Sequence, residues 1–297
     1  MAMTLGVGAK LVDPVVKKAI NEGAKQFKTI SQLYMNMDSS SQRFFEEVEV
    51  GGIGLLQQTV ELEKIPAVDY SIADAKRYTA AGYGLSVVLS REVWQYDMLS
   101  VAKKTGSMLG QAAKASIDTL SADVLNNGAT TETTPDGLTV FNAAHVDLRN
   151  GTYSNVPAAP AALDIGTLDT AYDAMRITKR HHVLPGGNDP KFIMYHPNNA
   201  SVVHAILNST HVPGSDNNDS NFFFSRLQPI ENNLLTNTAS WFLLTEKQFH
   251  SLKFVTFQAP KLSRWIQDNN KSIHYDVIMD VDTGATSGLG LHGVFPA

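Results

Sequence analysis

Five histidines, His181, His182, His196, His204 and His211, fall within one stretch of this 297-residue chain, and imidazole is a common ligand for transition metals. Their spacing does not assemble a site. No H-E-x-x-H occurs, and adjacent side chains such as His181 and His182 diverge on either a helix or a strand, so one ion would not take both. Ordinary surface or hydrogen-bonded histidines are the simpler reading. The paired carboxylates Glu46–Glu47, Glu61/Glu63 and Asp280/Asp282 have the residue type for acid–base work or for holding a cation. The last two pairs, at i and i+2, share one face of a strand, but without supporting ligands they read as solvated strand faces. A nucleophilic serine on a G-x-S-x-G elbow is missing. The glycine pairs in "GVGAK" (from Gly6), "GYG" (from Gly82) and "GLG" (from Gly288) lack the G-x-x-x-x-G-K-[ST] context of a phosphate cradle. With no cysteine there is no thiol nucleophile, disulfide or cysteine-held metal. The expectation is no catalytic, cofactor-binding or metal-ligating residue, and a structural or interaction protein ahead of an enzyme.

Composition sets the frame in which any such residues would be held. A hydrophobic fraction of 43% and a charged fraction of 18% are those of a globular chain somewhat poor in charge. The formal net charge of −5 and the lack of a Lys/Arg run argue against a dedicated nucleic-acid binder, so any DNA contact is expected to be weak and local. The segment "MAMTLGVGAKLVDPVVKKAINEGAKQFKTI" has no continuous apolar stretch of a signal peptide, being interrupted at Asp13–Pro14. No window approaches the roughly 18 apolar residues of a membrane span. An intracellular product without membrane contact is expected, which makes the Asn-x-Ser/Thr matches at Asn150, Asn199, Asn208 and Asn218 chance occurrences.

The periodicities then place the elements. From Leu11 to Tyr34 the pattern is helix-like but broken, more an arm than a core element. Arg43 to Gly52 and Arg77 to Ser90 read as strands, each rich in aromatic and β-branched residues. The stretch between them is too long for a turn and fits a two-stranded excursion, which alone would be marginal in water and needs another surface, that of another subunit. Next, Ser90 to Gly128 predicts one helix, capped by Ser90 and stopped at Asn126–Asn127–Gly128. Trp94, Met98, Leu99, Val101, Ala102, Met108, Leu109, Ala112, Ala113, Ile117, Leu120 and Val124 fall on one half of it. Asp97, Lys103, Lys104, Gln111, Lys114 and Asp118 fall on the other. Such a helix would reach on the order of 55 Å, overshooting a compact core. Gly106 and Gly110 inside it each cost about 1 kcal/mol relative to alanine, and serve either close packing of a neighbouring backbone or bending.

Residues 129–166 are mostly turn chemistry around "LTVF", and a structureless connection of that length tends to be functional or interfacial. A helix near Thr167 to Lys179, a strand from Lys191 to His196 and a helix from Asn199 to Ser209 follow. Strands at Trp241 to Thr245, Leu252 to Phe257 and Ser272 to Phe295 close the chain.

The run "GYGLSVVLSREVWQYDMLSVAKKTGSMLGQAAKASIDTLSADVLNNG", followed by "PDGLTVFNAAH" and "GTYSN", resembles the major capsid proteins of tailed bacteriophages. It is most similar to the Mu-like major head subunit group of the Hong Kong 97-like fold. "KFIMYHP", "WFLL" and "DVDTGATSGLGLHGVF" continue the resemblance in the same order, so that it covers nearly the whole chain from about Arg43.

The resemblance implies an α+β fold with an N-terminal arm (1–40), an extended β-hairpin loop (41–89), a peripheral domain with its spine helix (90–165), an axial domain (166–255) and peripheral return strands (256–297). It implies pentamers and hexamers of one subunit in an icosahedral head that encloses double-stranded DNA. Assembly would occur in the host cytoplasm, with decoration or cement protein, portal and scaffold as further partners. A scaffolding segment that some relatives carry at the N-terminus would be absent or already removed. The lysine–asparagine cross-link of the founding member is not carried over, because Lys64 and Lys76 match no aligned motif. The runner-up within the same fold is an encapsulin, a bacterial shell around an enzyme cargo, and a metal enzyme built on the histidines stands third.

Overall fold

Two four-stranded sheets and a pair of packed helices organise the chain in the computed structural model, which describes residues 5–51, 56, 58, 64–65, 67, 72–96, 99–147, 151–178, 188–214 and 219–296. The N-terminal part holds α1 (Leu5–Gln26), α2 (Ser31–Tyr34), β1 (Asn36–Ser39), β2 (Phe44–Val50), β3 (Ile72–Thr79), β4 (Ala81–Leu89), α3 (Arg91–Gln95) and α4 (Leu99–Asn126). The middle holds β5 (His145–Asp147), β6 (Gly151–Tyr153), α5 (Ile165–Ile177), β7 (Phe192–Tyr195), α6 (Ala200–Asn208), β8 (Gln228–Glu231) and β9 (Trp241–Leu244). The chain closes with β10 (Leu252–Ile266), β11 (Ile273–Ala285) and β12 (Leu291–Val294).

The first sheet has the order β1-β10-β11-β4, antiparallel except for the parallel β1–β10 pair. Along β11 the residues Ile273, Tyr275, Val277, Met279 and Val281 are buried while His274, Asp276, Ile278 and Asp280 are not. This period of two marks a sheet with one face on the core. The second sheet has the order β12-β9-β7-β8. Its inner strands read as unbroken apolar runs, "FIMY" and "WFLL", because both faces are covered. Ile193, Tyr195, Trp241 and Leu243 pack with α5 and α6, whereas the alternate residues Met194, Phe242 and Leu244 pack into the central core shared with β10, β11 and the end of α4. The polar end of α5 is closed locally: the Asp164 carboxylate accepts from Thr167 N–H at 2.7 Å, and Asp164 N–H donates to the Thr167 hydroxyl at 2.9 Å.

Several expectations change. The strand expected over Arg77 to Ser90 is two strands in different sheets: β3 pairs with β2, and after Ala80, whose N–H bonds Arg43 O at 3.1 Å, β4 pairs with β11. The expected single helix is the five-residue α3 followed by the 28-residue α4, about 42 Å long at 1.5 Å per residue. Tyr96 leaves the helical region at φ −106° and ψ 28°. Ser90 occupies the N-cap position without a side-chain capping bond. The expected apolar half also shifts. Val101 and Met108 are exposed, and Asp118, expected on the polar half, is buried because its carboxylate accepts the N–H groups of Ile30 and Ser31 at 2.9 Å each.

The N-terminal helix is no loose arm within the subunit. Val16, Ala19 and Ile20 are buried, at helical spacing, and Val16 and Ile20 cluster with Ala102 and Leu109 of α4 and with Leu89, Ile273 and Tyr275 of the sheet. Three glycines allow the approach. A Cβ on Gly110 would collide with the Ile20 carbonyl, one on Gly23 with the Ser107 carbonyl, and one on Gly106 would lie 3.2 Å from Val16 O. Close backbone packing is thus the observed role of Gly106 and Gly110. The two helices run parallel, since Gly106 faces Val16 and Ala19 while Gly110 faces Ile20 and Ala24. At the other end of the chain, β12 pairs with β9 in the second sheet, whereas β10 and β11 pair in the first.

Candidate functional site

The residues singled out for chemistry do not converge. His196 turns its Nδ1 back to accept Asn198 N–H at 3.2 Å, while His204 on α6 and His211 are exposed. His181 and His182 lie outside the described residues, as do Glu61 and Glu63. Glu46 and Glu47 point to opposite faces of β2. Glu46 lies 3.9 Å from the Arg77 guanidinium, whereas Glu47 lies 2.6 Å from Lys253 Nζ and accepts from the Thr286 hydroxyl at 2.5 Å. Asp282 accepts Thr79 N–H at 2.7 Å. Among the described residues no three His, Asp or Glu side chains are grouped to hold a metal ion. No described helix is long and apolar enough to cross a membrane.

What does converge is the "PDGLTVFNAAH…GTYSN" segment. Gly137, at φ 80°, makes the turn that lets Asp136 accept from the Thr134 hydroxyl and from Leu138 N–H at 3.1 Å. The other Asp136 oxygen meets His145 Nδ1 at 2.7 Å, and His145 Nε2 meets Val140 O at 3.1 Å. Burial alone would raise the Asp136 carboxyl, but the bonds from Thr134, His145 and Leu138 outweigh it and hold it below the usual carboxylate range. Asn155 completes the knot. It accepts Asn142 N–H at 2.7 Å and donates to Val140 O at 2.7 Å and Gly288 O at 3.2 Å, tying the loop to the end of the chain. A side chain at Gly288 would collide with Asn155 and His145.

An Asp–His pair invites comparison with a catalytic dyad, but the geometry excludes that use. His145 is fully buried and both its ring nitrogens face acceptors, so neither is left to take a proton from a nucleophile. The pair is a structural latch that holds a long polar loop against the core. Residue-type searches miss it because Asp136, His145 and Asn155 follow no catalytic spacing; the signal was their order within the resemblance.

A second anchor fixes the β2–β3 hairpin at its base. Tyr78 is fully buried and bonds Thr286 Oγ1 at 3.1 Å, and burial pushes its phenol well above the usual value. Lys76 pairs with Glu132 at 3.0 Å, while Lys253 joins Asp38 at 2.7 Å and Glu47 at 2.6 Å. Burial would lower the Lys253 ammonium, but the two carboxylates keep it above the usual lysine value. Beyond this base, Val48, Val50 and Ile72 are exposed. Exposed apolar side chains recur on β4, an outer strand of its sheet, at Tyr83, Leu85 and Val88. An apolar groove of about 210 Å³ runs there between β4 and α4, lined by Tyr83, Leu85, Leu109, Ala112, Val277 and Met279. An open strand edge beside an apolar groove is a surface suited to association with another chain.

Comparison with known proteins agrees with this reading of an association-competent subunit. No curated protein is similar enough in sequence to be matched. Among solved structures, the procapsid of bacteriophage JBD30 has a chain 14% identical, with a TM-score of 0.58 over 97% of this chain and 75% of that one. The capsid of cyanophage P-SCSP1u gives 12% identity and a TM-score of 0.62 over 91% and 89%. Mycobacterium phage Patience gives 11% and 0.59 over 98% and 90%. These likenesses establish the α+β fold of the Hong Kong 97-like type. The cargo-enclosing shell considered from the sequence is not favoured, because the family model that matches, over residues 73–290, is that of a phage capsid protein. With α4, strands β4 to β11 and the Asp136–His145–Asn155 latch all inside the matched span, the chain belongs to the phage capsid protein family.

Proposed function

We propose that this chain is the major capsid subunit of a tailed-phage head, a structural protein with no catalytic step of its own, assembling as pentamers and hexamers into an icosahedral shell around double-stranded DNA. The observation that carries this is the capsid-family match over residues 73–290, which takes in both the anchored hairpin arm β3 and the latch. In this reading 1–40 is the N-terminal arm, 41–89 the extended loop, 90–165 the peripheral domain with the spine helix, 166–255 the axial domain and 256–297 the peripheral return strands, of which β12 pairs with β9. The hairpin, fixed at its base by Tyr78 and Lys253, carries its exposed Val48, Val50 and Ile72 onto a neighbouring subunit. Many modest interactions of that kind, repeated around closed rings, add up to a stable shell. A decoration protein is a further partner in this reading, the JBD30 capsid being decorated with minor capsid protein trimers, and portal and scaffold are others.

Electron microscopy of the protein purified from expressing cells, with nuclease protection of any nucleic acid inside, tests the assignment. Closed shells that shield DNA during phage growth are expected. Small shells filled with a single protein cargo would point to the encapsulin architecture, and a protein that stays monomeric at high concentration would contradict both.

A further inference from the structure

On the hairpin ladder Glu47 of β2 stands directly opposite Lys76 of β3, the arrangement in which unlike charges stabilise a strand pair. The two do not bond each other; each reaches away from the hairpin to the body of the subunit. Glu47 lies 2.6 Å from Lys253 Nζ on β10, which also holds Asp38 of β1 at 2.7 Å. Lys76 lies 3.0 Å from Glu132 Oε1 and donates to Thr133 O at 2.6 Å. Gly284 of β11 makes room for this second pair, since a Cβ there would stand 3.1 Å from Glu132 Oε1 and 3.2 Å from Lys76 Cε. Between the two pairs the hairpin rests on Thr286, whose hydroxyl donates to Glu47 at 2.5 Å and meets the Tyr78 hydroxyl at 3.1 Å. Open space flanks this support. A cleft of about 370 Å³ is lined by Glu47, Val48 and Glu49 of β2 and, from the body, by Asn36, Gln248 and Lys253. A second cleft of about 240 Å³ is lined by Ile72 and Asp74 of β3 and, from the body, by Thr134, Asp136 and Val146. Thr286 and Ser287 line both. The hairpin therefore stands on a narrow ridge, braced on one side by a cation of the body and on the other by a cation of its own.

We infer that Lys253 and Lys76 are opposed positioning residues that set the tilt of the hairpin over Thr286, and with it the direction in which Val48, Val50 and Ile72 are presented to a neighbouring subunit; the neighbour rests on the capsid reading above. The charges around each brace give its loss a direction. Without the Lys253 ammonium, Glu47 is left facing Asp38, and like charges push β2 away from β1. Without the Lys76 ammonium the pull on β3 is gone, and the acidic groups that line the second cleft, Glu49 and Asp74 against Asp136 and Asp147, push β3 away from the latch. Both lysine side chains are mostly buried, at 15% and 18% exposed, so salt screens these pairs less than it screens pairs in open solvent.

The chain has no cysteine, so pairs of spin labels can be set on full-length dissociated subunits and their separation read by pulsed electron paramagnetic resonance. Val48→Cys with Gln248→Cys spans the first cleft, and Ile72→Cys with Val146→Cys the second. Lys253→Gln should lengthen the 48–248 distance and shorten the 72–146 distance, and Lys76→Gln should do the reverse. Lys253→Arg, which keeps the charge, should leave both distances as in the unchanged chain. Should the lysine variants fail to fold, Glu47→Gln and Glu132→Gln remove the carboxylate end of each brace and should give the same pair of opposite shifts. A merely structural loss of packing broadens both distances without direction. Opposite shifts establish the braces, whereas unchanged distances, broadening alone, or the same shift in both variants overturns the inference. Failure of the unchanged chain to form shells would sink the capsid reading alone, because the distances are read on isolated subunits.

Discussion

At the scale of single residues the chain places polar groups where they constrain structure. His292 on β12 is buried, its Nε2 meets no hydrogen-bond partner among the described residues, and burial lowers its pKa to about 4. Its neutral form is therefore the one the fold accepts. The stability it contributes is present above the unfolded value of about 6.5 and is lost as pH falls from there towards 4, because the unfolded chain then binds the proton more readily. Between pH 7 and 5 the loss from this one group is about 2 kcal/mol. Chemical denaturation of dissociated subunits at the two pH values should show it, and His292→Gln should remove most of the difference. A variant with the same pH dependence as the unchanged chain would show that other groups set it. The Asp136–His145–Asn155 latch belongs to the same scale, since an acid, an imidazole and an amide that could each serve chemistry are all consumed in holding one loop to Val140 and Gly288.

At the scale of elements, the spine is set by what packs on it. Alanine raises helix propensity by about 1 kcal/mol over glycine, so both spine glycines would be improved by substitution in an isolated helix. In the subunit Gly106→Ala meets Val16 O at 3.2 Å and needs only a small shift, whereas Gly110→Ala runs into the Ile20 carbonyl and must part the helices. Gly110→Ala should lower the melting temperature of dissociated subunits and cost about 1 to 3 kcal/mol, the range for an overfilled core, while Gly106→Ala stays near neutral. Equal effects at the two sites would contradict the closer approach of the helices at Gly110. The hairpin makes the opposite prediction. Deleting residues 54–73 keeps the Phe44–Val48 pairing with Ala75–Thr79 and the Tyr78 anchor, so subunits should fold with normal circular dichroism yet fail to form shells. Normal shells from that deletion would remove the hairpin from assembly. Much of this level was legible in the sequence: the period of two in β11, the apolar runs of β7 and β9, and the stop of α4 at Asn126 all have local causes. The switch of sheets at Ala80, the break at Tyr96 and the burial of Asp118 do not. Ala80, Ala81 and Gly82 weaken the strand pattern without specifying a change of partner, the chain around Tyr96 has neither proline nor glycine, and Asp118 is buried because it accepts from Ile30 and Ser31, 88 and 87 positions away.

At the scale of the whole molecule, the described residues leave apolar surface open in two places: the groove between β4 and α4, and Val48, Val50 and Ile72 on a hairpin anchored at its base. A monomer would gain nothing from such open apolar surfaces, whereas a shell needs lateral interfaces in its plane. The measurement closest to that claim is a cryo-electron microscopic reconstruction of the assembled protein. Five- and six-fold rings of this subunit are expected, with residues 44–79 of each copy lying across its neighbour. A particle without such rings, or one in which the hairpin folds back on its own subunit, would contradict that claim.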